Sequence, residues 1–312
     1  MATLPDRIRS LDSVTPGRKT YALLALIILA WGSNYPLMKM AIGDMPPLAF
    51  TAVRLAGATC ALAVILMLIR SQCLLPAPGE RMPLAIAGLF QIAAMLGLTI
   101  VGLTRVEPGR AVLLVYTMQL WAVPLSAWLL REKPSPGMLT GSAIGFLGIL
   151  IFFNPASANW HDLGTLVGNG LILLAALSWA LGSCLYRKRA WKSSFMVQTL
   201  WQMGISAVPI AALSLLFERG TVLHFTPRLA AIVVFNWLVP TALALWCWSK
   251  VLSAMPVSVA GQWLLLTPIV GFGLSALFLN EAVTPTLLVS AALIATGIFL
   301  TMRSETVSCK DL

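Results

Sequence analysis

The chain has 312 residues, of which 59% are hydrophobic and 10% are charged, whereas an ordinary soluble domain carries roughly a quarter charged residues. So apolar a chain cannot cover itself with polar groups in water, which argues against a soluble fold and for a bilayer. The formal net charge of +10 does not point to nucleic acid, because the basic residues sit in short segments between apolar runs, where they orient spans and meet anionic lipid.

Residues 1–20 read as a cytoplasmic tail with Arg7, Arg9, Arg18 and Lys19. No cleavage site follows it, since Trp31-Gly32-Ser33-Asn34-Tyr35-Pro36 interrupts the first apolar run, so the first helix is retained. Runs at Tyr21–Met38, Leu48–Ile69, Pro83–Leu103, Ala111–Leu130 and Met138–Phe153 make a first half, residues 21–153. An outer linker, 154–165, leads to runs at Leu166–Tyr186, Phe195–Phe217, Leu229–Ser249, Val257–Leu279 and Thr286–Thr301, a second half at 166–302. Residues 303–312 form a cytoplasmic C-terminal tail. Each run approaches the roughly 20 residues that a span needs, with Met138–Phe153 near the short limit. The expected fold is an all-α integral membrane protein of ten transmembrane helices.

The two halves repeat one another. Trp31 precedes Lys39 by the same interval as Trp179 precedes Arg187, and Leu125-Ser126-Ala127 through Glu132 returns as Leu274-Ser275-Ala276 through Glu281. Pro136 then matches Pro285, and Gly148-Ile149 matches Gly297-Ile298. Of the 21 Lys and Arg, Lys39, Arg105, Arg110, Arg219 and Arg228 fall on outer segments and Arg54 inside a span; the rest fall on inner segments. That bias supports N-terminus and C-terminus both inside. Five spans per half is odd, so the halves enter the membrane in opposite senses, as inverted five-helix repeats around a central cavity.

The acidic residues all lie in tails, loops or helix ends, and His161 and His224 in outer loops. A proton-coupled carrier usually places a carboxylate or imidazole near the midplane; with none visible, facilitated diffusion is the expectation, and Glu107 is the acid to test against it. The five cysteines are scattered, which gives neither a disulfide framework nor a metal site, and no cofactor is expected. Arg54 either snorkels to the interface or faces the cavity and pairs with a substrate carboxylate. Amides at depth should turn inward: Asn34, Gln91, Gln119, Gln198, Gln202, Asn236 and Gln262. Trp31, Asn34, Tyr35 and Met38 share one face, as do Tyr116 and Gln119. Among the tryptophans, Trp31, Trp121, Trp179, Trp201, Trp237, Trp246, Trp248 and Trp263 lie deeper; about half of them suit lipid or helix packing, and the remainder suit a pocket for flat apolar groups. The substrate-binding candidates are thus Trp31, Asn34, Tyr35, Arg54, Gln91, Tyr116, Gln119, Trp179, Gln202, Trp237, Gln262 and Trp263. Pro36, Pro124, Pro209, Pro240 and Pro268 are hinge or kink candidates, and Gly141, Gly145 and Gly148 with Ala291, Ala295 and Gly297 suit close packing of the last helix of each half.

The tryptophan-to-base spacing, the two Leu-Ser-Ala…Glu helix ends and the Pro-containing turns after them resemble the EamA-type transporters of the drug/metabolite transporter superfamily, over Tyr21 to Met302. Gly182-Ser183-Cys184 departs from the pattern, putting small polar residues where many relatives are bulkier. The resemblance implies ten helices in two inverted halves and movement of small organic metabolites or drugs. Within the family the chain looks most like bacterial exporters of aromatic amino acids, which implies the inner membrane. The leading expectation is a carrier, not an enzyme, exporting aromatic or large neutral amino acids. Efflux of lipophilic cations would prefer a buried carboxylate, and a lipid-modifying membrane enzyme would need a His/Asp/Glu cluster. Expected partners are the small-molecule substrate and membrane lipids, with no nucleic acid, in a monomer or homodimer.

Overall fold

The computed structural model describes residues 17–68, 74–153, 162–221, 223–252, 254, 260 and 263–308. Within them the chain is helical and contains no strand. In order the helices are α1 Arg18–Ala41, α2 Pro47–Leu68, α3 Arg81–Leu103, α4 Pro108–Leu129 and α5 Pro136–Phe153. Then come α6 Leu163–Arg187, α7 Phe195–Phe217, α8 from Pro227–Trp237 through to Ala244–Leu252, α9 Leu266–Leu279 and α10 Pro285–Ser308. Eight are long and apolar enough to cross a membrane, and α5 and α9 are shorter apolar helices. The ninth run was expected from Val257; the described helix begins at Leu266, and residues 255–259 lie outside the described part. Leu68, Phe217, Leu277 and Phe278 are each more than two-thirds exposed, a surface that suits hydrocarbon and not water.

Helix ends are set locally. Proline opens α2, α4, α5, α8 and α10, where its missing N–H is no loss and its fixed φ fits the first turn. The Leu-Ser-Ala repeat ends both α4 and α9 in the same way: Arg131 and Asn280 take left-handed φ values of 56° and 54°. This residue stops the helix and throws the following glutamate, Glu132 or Glu281, away from its axis. Two helix N-termini are capped by carboxylates from the other half. Glu281 accepts from the N–H of Gly109 (2.8 Å) and Arg110 (3.1 Å), and Glu218 from Leu48 and Ala49, both at 2.8 Å. Each thereby satisfies otherwise unbonded first-turn donors.

α5 and α10 pack backbone against backbone. A Cβ added to Gly297 would fall 2.5 Å from the Gly145 nitrogen, and one on Gly141 would fall 2.7 Å from the Gly297 oxygen. The packing role expected of Gly141, Gly145 and Gly297 is what the structure shows.

Among the described helices, the irregular turns coincide with the proline candidates only at Pro240. Pro36, Pro124 and Pro209 sit inside continuous helix, whereas α4 is interrupted at Thr117, between Pro108–Tyr116 and Met118–Leu129. The Thr117 hydroxyl donates to the Leu114 carbonyl at 2.6 Å, the local side-chain bond by which threonine bends helices. Pro240 lies in a π-helical turn, Leu238–Leu243. A second π-turn, Leu89–Ala94 in α3, has no proline. Adding 149 to 89 and 94 gives 238 and 243, so the two turns occupy equivalent places in the repeat. The proline-free turn is held from outside: Ser178 donates to the Phe90 carbonyl at 2.8 Å and Ser206 to the Gly88 carbonyl at 2.9 Å. The small residues of α6 are accounted for here as well. A Cβ on Gly182 would fall 2.6 Å from the Gln91 nitrogen, and Ser183 accepts from the Gln91 amide at 3.1 Å.

Candidate substrate cavity

A cavity of about 630 Å³ is lined by helices from both halves, within the size range of small-molecule sites. α1 contributes Trp31, Asn34, Tyr35 and Met38; α2, Arg54; α3, Met95, Leu96 and Thr99; α4, Val115, Tyr116, Met118 and Gln119. From the second half come Trp179 of α6, Trp248 of α8, Leu264 and Met302 of α10. A smaller space of about 200 Å³ shares Trp31, Arg54, Met95, Leu96 and Trp179 with it and adds Gln91, Thr199, Met203, Pro240 and Thr241.

Among the described residues, Arg54 is the one charged group on either wall. Its Nη1 lies 3.3 Å from the Met38 sulfur, a weak acceptor that leaves most of the guanidinium's hydrogen-bonding capacity unused. Asn34 donates its Nδ2 to the same sulfur at 3.4 Å. Its Oδ1, the Gln119 Oε1 and the Thr99 hydroxyl are buried without a partner. Buried polar atoms left unsatisfied call for an explanation, such as a ligand or ordered water. Among the described residues, the wall therefore offers one cation, several acceptor oxygens, three indoles and four thioethers, and no acid.

The family model described as the EamA-like transporter family matches residues 18–154 and again 166–303. The chain belongs to the EamA-like transporter family. This EamA-like chain is 27% identical over 274 residues to the uncharacterized transporter YoaV of Bacillus subtilis, covering 88% of this chain and 93% of the relative. It is also 25% identical over 295 residues to a probable amino-acid metabolite efflux pump of Escherichia coli, covering 91% and 94%. A solved crystal structure matches with a TM-score of 0.65 at 20% identity, over 94% of this chain and 98% of that one, which is a likeness of fold.

Seven of the twelve sequence candidates of this EamA-like transporter meet at the main cavity: Trp31, Asn34, Tyr35, Arg54, Tyr116, Gln119 and Trp179. Arg54, for which snorkelling was the competing expectation, is among them. Gln91 faces the smaller space. Three lie elsewhere. Gln202 packs its backbone where a Gly88 Cβ would be, joining α7 to α3. Trp237 lies over Gly57 and donates its indole N–H to the Val53 carbonyl at 3.0 Å. Trp263 is 42% exposed, edge-on to Tyr21. Each packs against a neighbouring helix, although the Gln202 amide nitrogen is buried there without a partner, and depth in the sequence cannot distinguish such packing from facing a cavity. Gln262 lies outside the described residues. Among wall residues that were not candidates, Met95 and Thr99 continue the α3 face of Gln91 at helical spacing, a signal that was available. Met118, Met302 and Leu264 carried none, since apolar side chains look alike on lipid and cavity faces.

Polar contacts at the two ends of the bundle differ. At the Lys39 end, Lys39 donates to the carbonyls of Leu103 (2.8 Å) and Val106 (2.9 Å), beside the Glu281 cap. Asp44 pairs there with Arg228 at 2.8 Å, and the hydrogen bond from that guanidinium holds its carboxyl below the usual range. Glu281 is 6% exposed. Burial raises its pKa, with the Gly109 and Arg110 N–H groups acting in the opposite direction. At the Arg187 end, Glu80 accepts from the Ser193 hydroxyl and the Lys192 N–H, which lower its pKa in that order. Glu132, the repeat-mate of Glu281, is instead half-exposed and paired with Arg187 at 2.9 Å.

Proposed function

We propose that this EamA-like transporter is a carrier of zwitterionic amino acids with aromatic or large neutral side chains, exported across the bacterial inner membrane. The observation that carries the reading is the chemistry of the cavity wall. Arg54 matches a substrate carboxylate, the free oxygens of Asn34 and Gln119 match an ammonium group, and Trp31, Trp179 and Trp248 offer faces for a flat apolar side chain. A guanidinium forms strong, directional bonds to a carboxylate. Lipophilic cations would meet that same guanidinium with no carboxylate on the wall to offset it. The name of the Escherichia coli relative agrees with an amino-acid substrate.

In this reading the helices form ten spans in two inverted five-helix halves, with the Lys39 end outside and the Arg187 end inside. Access alternates between the two ends. With no acid among the described residues of the wall, movement in this reading follows the solute gradient. The test is exchange of a panel of amino acids and cationic dyes by the purified protein in liposomes, with and without a pH gradient. Amino-acid exchange in both conditions is expected. Strict dependence on the pH gradient would overturn facilitated movement, and dye transport without amino-acid transport would overturn the substrate class.

A further inference from the structure

The two π-turns and the two repeat tryptophans meet in one place. Trp31, Trp179, Gln91 and Pro240 all line the smaller space of about 200 Å³. Trp31 donates its indole N–H to the carbonyl of Pro240 at 2.8 Å, tying α1 of the first half to the π-turn of α8 in the second. The repeat supplies a second set of the same parts. Trp179 corresponds to Trp31, and Gln91 corresponds to Pro240, since 91 plus 149 is 240. That second bond is not made. The Trp179 indole has no acceptor among the described residues, and no side chain among them donates to the Gln91 carbonyl. The Glu281–Glu132 pair is unequal in the same sense: the first-named caps the α4 N-terminus, and its mate is half-exposed on Arg187.

Resting on the carrier reading above, we propose that Trp31 and Trp179 exchange roles between the two access states. In each state one indole is locked to the π-turn carbonyl of the opposite half, and the other presents its free N–H to the solute in the cavity. In the conformation described here Trp31 is the lock, associated with closure of the Lys39 end, and Trp179 is the substrate contact. In the mirror state Trp179 bonds the Gln91 carbonyl and closes the Arg187 end, and Trp31 is released to the solute. Two inverted copies of one unit reach the opposite access state by exchanging conformations, and a π-turn is where a helix carbonyl is left accessible to such a partner. The indoles are thus positioning residues for access and alternating contacts for the substrate.

The experiment is hydrogen–deuterium exchange of the full-length protein in lipid nanodiscs, read as the ratio of exchange at the Lys39 end (around Gly109 and Arg110) to that at the Arg187 end (around Lys192 and Ser193). Removing one net hydrogen bond shifts a two-state ratio by about fivefold. Trp31→Phe is expected to raise the ratio by about that factor, and Trp179→Phe to lower it. The double variant Trp31→Phe/Trp179→Phe returns it towards wild type, an outcome that misfolding would not give. Shifts of both single variants in one direction, or no shift in either, overturn the proposal. Because the readout needs no substrate, opposite shifts in a protein that transports no amino acid would sink the substrate reading and leave the exchange standing.

Discussion

At the residue scale the decisive group is Arg54. A charge within a span is rare because its desolvation is unfavourable, and it is retained where it has work to do. Here the guanidinium has a thioether for company and, among the described residues, no carboxylate on the wall. A substrate carboxylate would supply the missing partner. Charge-assisted hydrogen bonds contribute about 1.5–3 kcal/mol, or roughly 10- to 100-fold in affinity. Arg54→Gln is therefore expected to weaken binding of a large neutral amino acid by about that factor and to leave the corresponding amine, which lacks the carboxylate, unaffected. Tryptophan-fluorescence titration with both ligands is the measurement. Equal effects on the two ligands would remove the guanidinium from the carboxylate subsite.

At the element scale the helices are held by close approach of backbones and by side chains lying on glycines. Trp237 is the clearest case: a Cβ on Gly57 would come within 2.0 Å of its indole, which also donates to the Val53 carbonyl one turn away. The contact fixes α8 against α2 and explains why this deep tryptophan is not on the cavity wall. Overpacking of this kind costs about 1–3 kcal/mol. Gly57→Val is expected to lower the thermal denaturation midpoint by several degrees while leaving Arg54-dependent binding intact in the folded fraction. An unchanged midpoint would mean that the indole moves aside freely. The same reasoning accounts for the small residues of α6, where Gly182 and Ser183 receive the backbone and amide of Gln91.

At the scale of the whole molecule, the proposed alternation makes closure of the Lys39 end depend on a buried carboxylate. Burial holds the Glu281 pKa above the ordinary glutamate range, against the Gly109 and Arg110 donors, with Glu107 raising it further and Arg110 lowering it. A carboxyl whose pKa is higher in the closed than in the open form binds its proton more tightly when closed. Closure at this end therefore strengthens as pH falls through the raised value. The effect is complete below the ordinary range and lost above the raised one. Acidifying the Lys39 side from about pH 7 to about pH 5 is expected to slow transport by the wild type. Glu281→Gln, which cannot titrate, should show a flat profile. A wild-type profile as flat as the variant's would exclude this carboxylate from gating.

What the sequence by itself determined was set by local rules. Apolar runs dictate membrane-type helices because hydrocarbon leaves backbone groups no other partner. Proline opens helices wherever it stands first, and the repeat, read from tryptophan-to-base spacing and helix-ending glutamates, extends to the left-handed residues at Arg131 and Asn280. The α1 face from Trp31 to Met38 was legible too, since amides and aromatics at helical spacing must turn one way. Only the tertiary structure decided which of the remaining deep polar and aromatic residues face the cavity. Gln202, Trp237 and Trp263 pack against neighbouring helices, and the thioethers of Met95, Met118 and Met302 line the wall. Glu281, which the sequence places at a helix end, is buried because the other half of the chain brings an uncapped helix N-terminus to it. Position along a helix gives the direction of a side chain, but what it meets there depends on residues far away in sequence.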